Sequence, residues 1–158
     1  MAHPETPLQR VAAYVDGFNL YYGLKSKGWR RYYWLNVHQL MLNLLKPDQR
    51  IVFTKYFTSR VSSTPKNPDK QKRQSEFIEA LSTVPEVQVF YGQYQLRPQT
   101  CSRCGFVGLV PNEKMTDVNI AAEMLTDAFQ DKFDTALLVS ADSDLSAPVS
   151  RIREFLRL

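Results

Sequence analysis

The chain reads as an α/β protein, a doubly wound and mainly parallel sheet flanked by helices. Two short apolar runs, V-A-A-Y-V at 11–15 and A-L-L-V-S at 136–140, show no polar alternation. That pattern suits strands covered on both faces. Each run leads within two residues to an acid, Asp16 or Asp142, and charged groups are almost never buried without a partner. Between them, segments with apolar residues at helical spacing alternate with further strand-like runs, which implies right-handed crossovers and a parallel sheet. Ligands in such sheets bind beyond the carboxyl ends of the strands, where the winding reverses.

Taken in order, the first strand is Val11–Asp16. Gly17 breaks it, and a helix over Phe18–Lys27 puts Leu20, Tyr21 and Leu24 on one face. Gly28–Trp34 is a loop. Asn36 suits an N-cap for a helix to Lys46 that Pro47 stops. Ile51–Phe57 is a second strand, and Ser59–Asp69 a loop rich in Ser and Pro. A helix follows to about Thr83, and Val87–Leu96 is a third strand. Residues 97–112 are expected to be an irregular excursion within a single domain of residues 1–158. A helix over Met115–Gln130 carries Ala121, Met124, Leu125 and Ala128 inward, with Asp117 on the same face one turn earlier. Asp134 opens the last strand, and Leu145–Leu158 is the final helix.

At 158 residues, 44% hydrophobic and 23% charged, the composition is that of a globular domain. No apolar run reaches membrane-spanning length, the first ten residues lack an apolar signal core, and two cysteines do not make a disulfide framework. A cytoplasmic location is therefore expected. Residues 1–110 hold 15 Lys or Arg against 7 Asp or Glu (+8), and residues 111–158 hold 5 against 9 (−4). Such asymmetry fits a polyanionic partner as well as it fits a solvated surface.

The chemistry is expected from Asp16, Asp117, Asp142 and Asp144, which the inferred fold brings together from three parts of the chain. Carboxylates about 5 Å apart repel by roughly 3 kcal/mol at an effective dielectric near 20. A cluster of four needs protons, basic partners or a cation, and hard oxygen ligands favour Mg²⁺ or Mn²⁺. Such ions can activate water and steady the leaving oxygen of a phosphodiester. Asn19 could orient Asp16 or hold a water. Taken singly, Asp142 and Asp144 suit helix N-caps equally well, and Asp117 a first-turn acid.

Three stretches resemble the NYN domain family, LabA-like members of the PIN-like nuclease superfamily. They are V-D-G-F-N-L at Val15–Leu20, E-K-M-T-D-V-N-I-A at Glu113–Ala121 and L-V-S-A-D-S-D at Leu138–Asp144. The resemblance implies a metal-dependent endoribonuclease acting on RNA through Mg²⁺ or Mn²⁺. It carries the metal-binding acids onto Asp16, Asp117, Asp142 and Asp144, and the neighbouring polar positions onto Asn19 and Ser140. Such domains usually continue into another parallel strand, whereas this chain stops at Leu158. The expected sheet lacks that last strand, leaving the strand at 136–140 on an edge open to a second copy as a homodimer.

Further candidates surround this core. Lys114 is placed to neutralise phosphate, and Arg30 and Arg31, interleaved with aromatics from Trp29 to Trp34, suit single-stranded RNA or else close the core. Lys66, Lys70, Lys72 and Arg73 read most simply as a solvated helix start. Cys101 and Cys104 form half of a zinc knuckle, with only His3 and His38 as further soft ligands. A local loop staple is favoured over zinc shared between chains. The competing functional class is a catalytically silent RNA- or protein-binding module on the same fold.

Overall fold

In the computed structural model, which describes residues 7–156, the first apolar run forms the centre of the sheet. Strand β1 (Gln9–Asp16) is buried from Val11 to Asp16. Its side chains alternate between two apolar layers, so both faces are covered. Ala12 and Tyr14 pack with Phe57, Ile120, Met124 and Phe133 on one side. Ala13 and Val15 pack with Val37, Met41, Tyr56 and Leu81 on the other.

After β1 the chain continues through α1 (Gly17–Ser26), a 3-10 turn at Arg30–Tyr32, α2 (Val37–Leu42), β2 (Gln49–Thr58), α3 (Lys70–Ser82) and β3 (Val87–Tyr91). Then come β4 (Gln93–Thr100), β5 (Val107–Lys114), α4 (Thr116–Phe129), β6 (Thr135–Val139) and α5 (Ser146–Leu156), with a 3-10 turn at Ser143–Leu145 before α5. The main sheet has the order β3-β2-β1-β6, and all three pairings are parallel. The chain winds from β1 through β2 to β3 on one side and returns to β1's other side with β6. The reversal point therefore lies between β1 and β6, and the acids that follow both strands meet there.

Three local expectations change. The helix expected to reach Lys46 ends at Leu42; Leu44 and Leu45 close tight turns onto Met41 and Leu42 instead. The strand expected over Val87–Leu96 stops at Tyr91, where Gly92 N–H bonds to Thr58 O and the chain leaves the sheet. Residues 97–112, expected to be irregular, belong to an antiparallel hairpin of β4 and β5, with Gln93 opposite Lys114 and Thr100 opposite Val107. Gly105, at φ +70°, makes its turn. As expected, β6 pairs with β1 alone among the described residues and forms a sheet edge.

Candidate active site at the strand reversal

Asp16, the last residue of β1, is 2% exposed and caps α1. Its Oδ1 accepts Asn19 N–H (3.0 Å), while its Oδ2 accepts Asn19 Nδ2 (2.5 Å) and Ser140 Oγ (3.1 Å). Three donors thus fix the carboxylate's orientation. Gly17 is required next: a Cβ there would clash with the Tyr56 hydroxyl and stand 2.8 Å from Phe57 O. Only glycine lets α1 leave β1 this close to β2.

The strand on the other side supplies the second arm. Ser140 Oγ, besides donating to Asp16, accepts Asp142 N–H (3.1 Å), and Asn19 Oδ1 accepts Ala141 N–H (3.3 Å). Asn19 and Ser140 therefore lace the two strand ends together. Asp142 in turn caps the 3-10 turn by accepting Asp144 N–H (2.9 Å). Of the two acids expected to suit N-caps, Asp142 is one and Asp144 sits in the turn it caps; Asp117 takes the expected first-turn place, and Asp16 is a cap that was not expected. Asp16 and Asp142 also face a common space.

That space is a small cavity of about 150 Å³ lined by Asp16, Phe18, Asn19, Met115, Thr116, Asp117 and Asp142. Asp117 reaches it from the first turn of α4. Burial, and then the negative fields of Asp142, Asp16 and Asp144, hold its carboxyl above the usual carboxylate value. Asp144 does not line the cavity but lies within electrostatic range of it. Met115, immediately before α4, sits at φ +77°, a conformation L-residues adopt only under local constraint. No Lys, Arg or His among the described residues lines the cavity. Among the described residues, no three His, Cys, Asp or Glu side chains stand close enough to hold one ion by themselves.

The remaining candidates are more scattered. Arg30 lines a separate, larger cavity, whereas the Arg31 guanidinium lies 4.7 Å from the centre of the Tyr32 ring. The Lys114 side chain and His3 lie outside the described residues. Cys101 and Cys104 are free and exposed at the hairpin turn. Backbone N–H groups of Arg103 and Cys104 lower the Cys101 thiol below its usual range. His38, buried in α2, hydrogen-bonds to Thr54 Oγ1 through Nδ1 (2.9 Å).

A family model described as the NYN domain matches residues 10–157. The chain belongs to the NYN domain family. The family lies within the PIN-like superfamily, and NYN domains are generally nucleases, which implies a nucleic-acid substrate. Among solved structures, this NYN domain is similar to a protein of unknown function from Vibrio parahaemolyticus. The two share 21% identity over 98% of this chain and 78% of the other, with a TM-score of 0.54, a likeness of fold. The comparison with curated proteins finds no match. Among the described residues no helix is long and apolar enough to cross a membrane.

The sequence reading missed one polar centre. Lys55 of β2, 4% exposed, bonds through Nζ to Glu123 (2.6 Å) and Asp127 (2.5 Å) of α4. Asp127, fully buried, also accepts Tyr14 Oη–H (2.8 Å) and Lys132 Nζ (2.9 Å). The signal was present as a lysine inside an otherwise strand-like run, I-V-F-T-K-Y-F at 51–57. This network ties α4, and with it Asp117, to β1 and β2.

Proposed function

We propose that this NYN domain is a metal-dependent endoribonuclease whose Asp16, Asp117, Asp142 and Asp144 hold Mg²⁺ or Mn²⁺ for cleavage of single-stranded RNA. The observation that carries this reading is the meeting of Asp16, Asp117 and Asp142 on one small cavity, with Asp144 close enough to raise Asp117's proton affinity. The donor chemistry fits a hydrated hard cation. Mg²⁺ typically takes only one or two carboxylates, keeps several waters and pairs with phosphate oxygens. Asp16, Asp117 and Asp142 line the cavity and would face the cation, Asp16 with the lone pair its three protein donors leave free.

Once bound, the cation supplies charge stabilisation at the phosphodiester and a more acidic water. The chain's own groups do the rest. Asp16, fixed by Asn19 and Ser140, sets the negative floor of the cavity. Asp117 faces the cation from the first turn of α4, and the negative charge it shares with Asp142, Asp16 and Asp144 is what the cation would neutralise. Asn19 and Ser140 hold the ends of β1 and β6 in register so that these groups face one phosphate.

The test is incubation of a circular single-stranded RNA, which only an endonuclease can open, with Mg²⁺, Mn²⁺ or EDTA. Opening in either metal, loss in EDTA and loss in Asp117→Asn are expected. An intact circle in both metals refutes the proposal. That no three acids among the described residues stand in direct coordinating range favours one alternative, a module that binds RNA without cutting it. That reading predicts tight binding, an intact circle and no effect of Asp117→Asn.

A further inference from the structure

The larger cavity, about 440 Å³, lies across Phe18 from the acids, and Phe18 borders both spaces. Its wall combines segments far apart in sequence: α1, the loop at 30–35, the end of β2 and the first turns of α3. Aromatic rings dominate it, and several are open to solvent, with Tyr22 49% and Trp34 54% exposed. Trp34 stands edge-on to Phe77 (6.1 Å between centroids), and Phe77 is edge-on to Tyr56 (5.9 Å). Its size is in the range of small-ligand pockets, roughly 300–1,000 Å³.

The charge around it has one sign. Lys25, Arg30, Lys70 and Arg73 line the cavity and, among the described residues, no Asp or Glu does. None of these four forms an ion pair with a described acid. Open rings ringed by unpaired cations match a group that is flat, aromatic and attached to a polyanion. An apolar peptide would leave the four cations without complement.

We propose that this cavity is a nucleobase pocket, receiving one unstacked base of single-stranded RNA whose backbone passes on to the acids; this rests on RNA being the substrate. The wall's polar groups say how the base is held. Gln74 is spent on the protein, donating through Nε2 to Thr58 Oγ1 and Ser59 O and accepting Val61 N–H. Asn67 Oδ1 accepts Arg73 Nη2. With the Gln74 amide and the Asn67 oxygen engaged, stacking on the rings is the main hold on the base, so the pocket selects unpaired RNA over paired RNA. A base inside a duplex would first have to be unpaired and unstacked.

The experiment compares a short fluorescent single-stranded RNA with an all-abasic ribose-phosphate oligomer of the same length and charge. Both are titrated by anisotropy in EDTA, so that cleavage plays no part. Wild type should bind the intact RNA about tenfold more tightly than the abasic chain. Trp34→Ala should bind both equally. Lys70→Gln with Arg73→Gln should weaken both alike and flatten the salt dependence, because phosphate contacts release counterions. Tyr22→Ala, which alters a half-exposed ring on α1, should also reduce the discrimination and keeps the test decisive if Trp34→Ala does not fold. Equal affinity of wild type for the two oligomers, or full discrimination in both aromatic variants, overturns the pocket. An uncut circular RNA alongside intact discrimination instead refutes the ribonuclease and leaves the pocket standing.

Discussion

Replacing Lys55 with methionine tests whether the buried charge network positions α4. Met keeps most of the stem's volume and removes the ammonium. The carboxylate of Asp127, fully buried, then loses one of three donors, while Tyr14 and Lys132 remain. Removing one partner of a buried pair typically costs about 3–5 kcal/mol, and the two surviving donors place this case near the low end, about 3 kcal/mol. Glu123, a third exposed, adds little. For a domain of this size that corresponds to a fall in Tm of roughly 6–12 °C. Urea unfolding of wild type, Lys55→Met, Asp127→Asn and the double variant measures it. The double variant should be more stable than the two single losses added together, since neutralising both members removes the stranded charge. A loss below about 1 kcal/mol for Lys55→Met, or simple additivity, would show that the network is worth no more than a surface pair. The pH profile gives the sign. Burial works against the Asp127 carboxylate, but bonds from Lys55, Lys132 and Tyr14 hold it below 3.8 overall. Its contribution is therefore present above the ordinary carboxylate range and lost as pH falls through the lowered value. Lys55→Met should shrink that acid-side loss.

Four further outcomes are expected. In EDTA at pH 7, Asp117→Asn should melt above wild type, and this advantage should fade as pH falls toward 3.8, because a raised carboxyl is a liability only where it is ionised; a pH-independent difference refutes it. Mn²⁺ at 100 times its Kd should add about 2.7 kcal/mol to wild type and clearly less to the variant. Gly17→Ala should destabilise by about 1–3 kcal/mol in urea unfolding, through overpacking against Tyr56 and the carbonyl of Phe57; a neutral result would mean α1 moves freely away from β2. Because β6 is an edge strand, sedimentation at rising concentration should reveal a dimer, and a monomer at every concentration refutes pairing through that edge.

The parts legible in the sequence were those with a one-dimensional signature. Val11–Asp16 and 136–140 announced strands covered on both faces because burial removes polar alternation, and the acids after them announced the crevice. Asp117 was legible because helical spacing put it on the face of Met124 and Ala128. Other features depend on partners distant in sequence. Lys55 meets Asp127 across 72 positions, and nothing local to either residue signals the pairing. The hairpin of β4 and β5 escaped notice because its strands carry polar residues and proline, Pro98 and Pro111, without a clear period of two. The aromatic loop read as an RNA contact or as core closure and the basic start of α3 as a solvated face, and only the crossover from β2 to β3 makes them walls of one cavity.

The bonding of Asp16 separates two kinds of loss that genetics would otherwise confuse. Its carboxylate both starts α1 and floors the cavity, so a chain that mutates there forfeits architecture along with chemistry. Asp144 has no such double duty: it is exposed, and among the described residues only its backbone N–H is engaged, by Asp142. On the proposed function, a lineage relieved of selection for cutting RNA could shed Asp144 early and silently while Asp16 persisted as scaffold. Retention of Asp16 in a descendant would therefore say nothing about whether that descendant still cuts, and retention of Asp144 would.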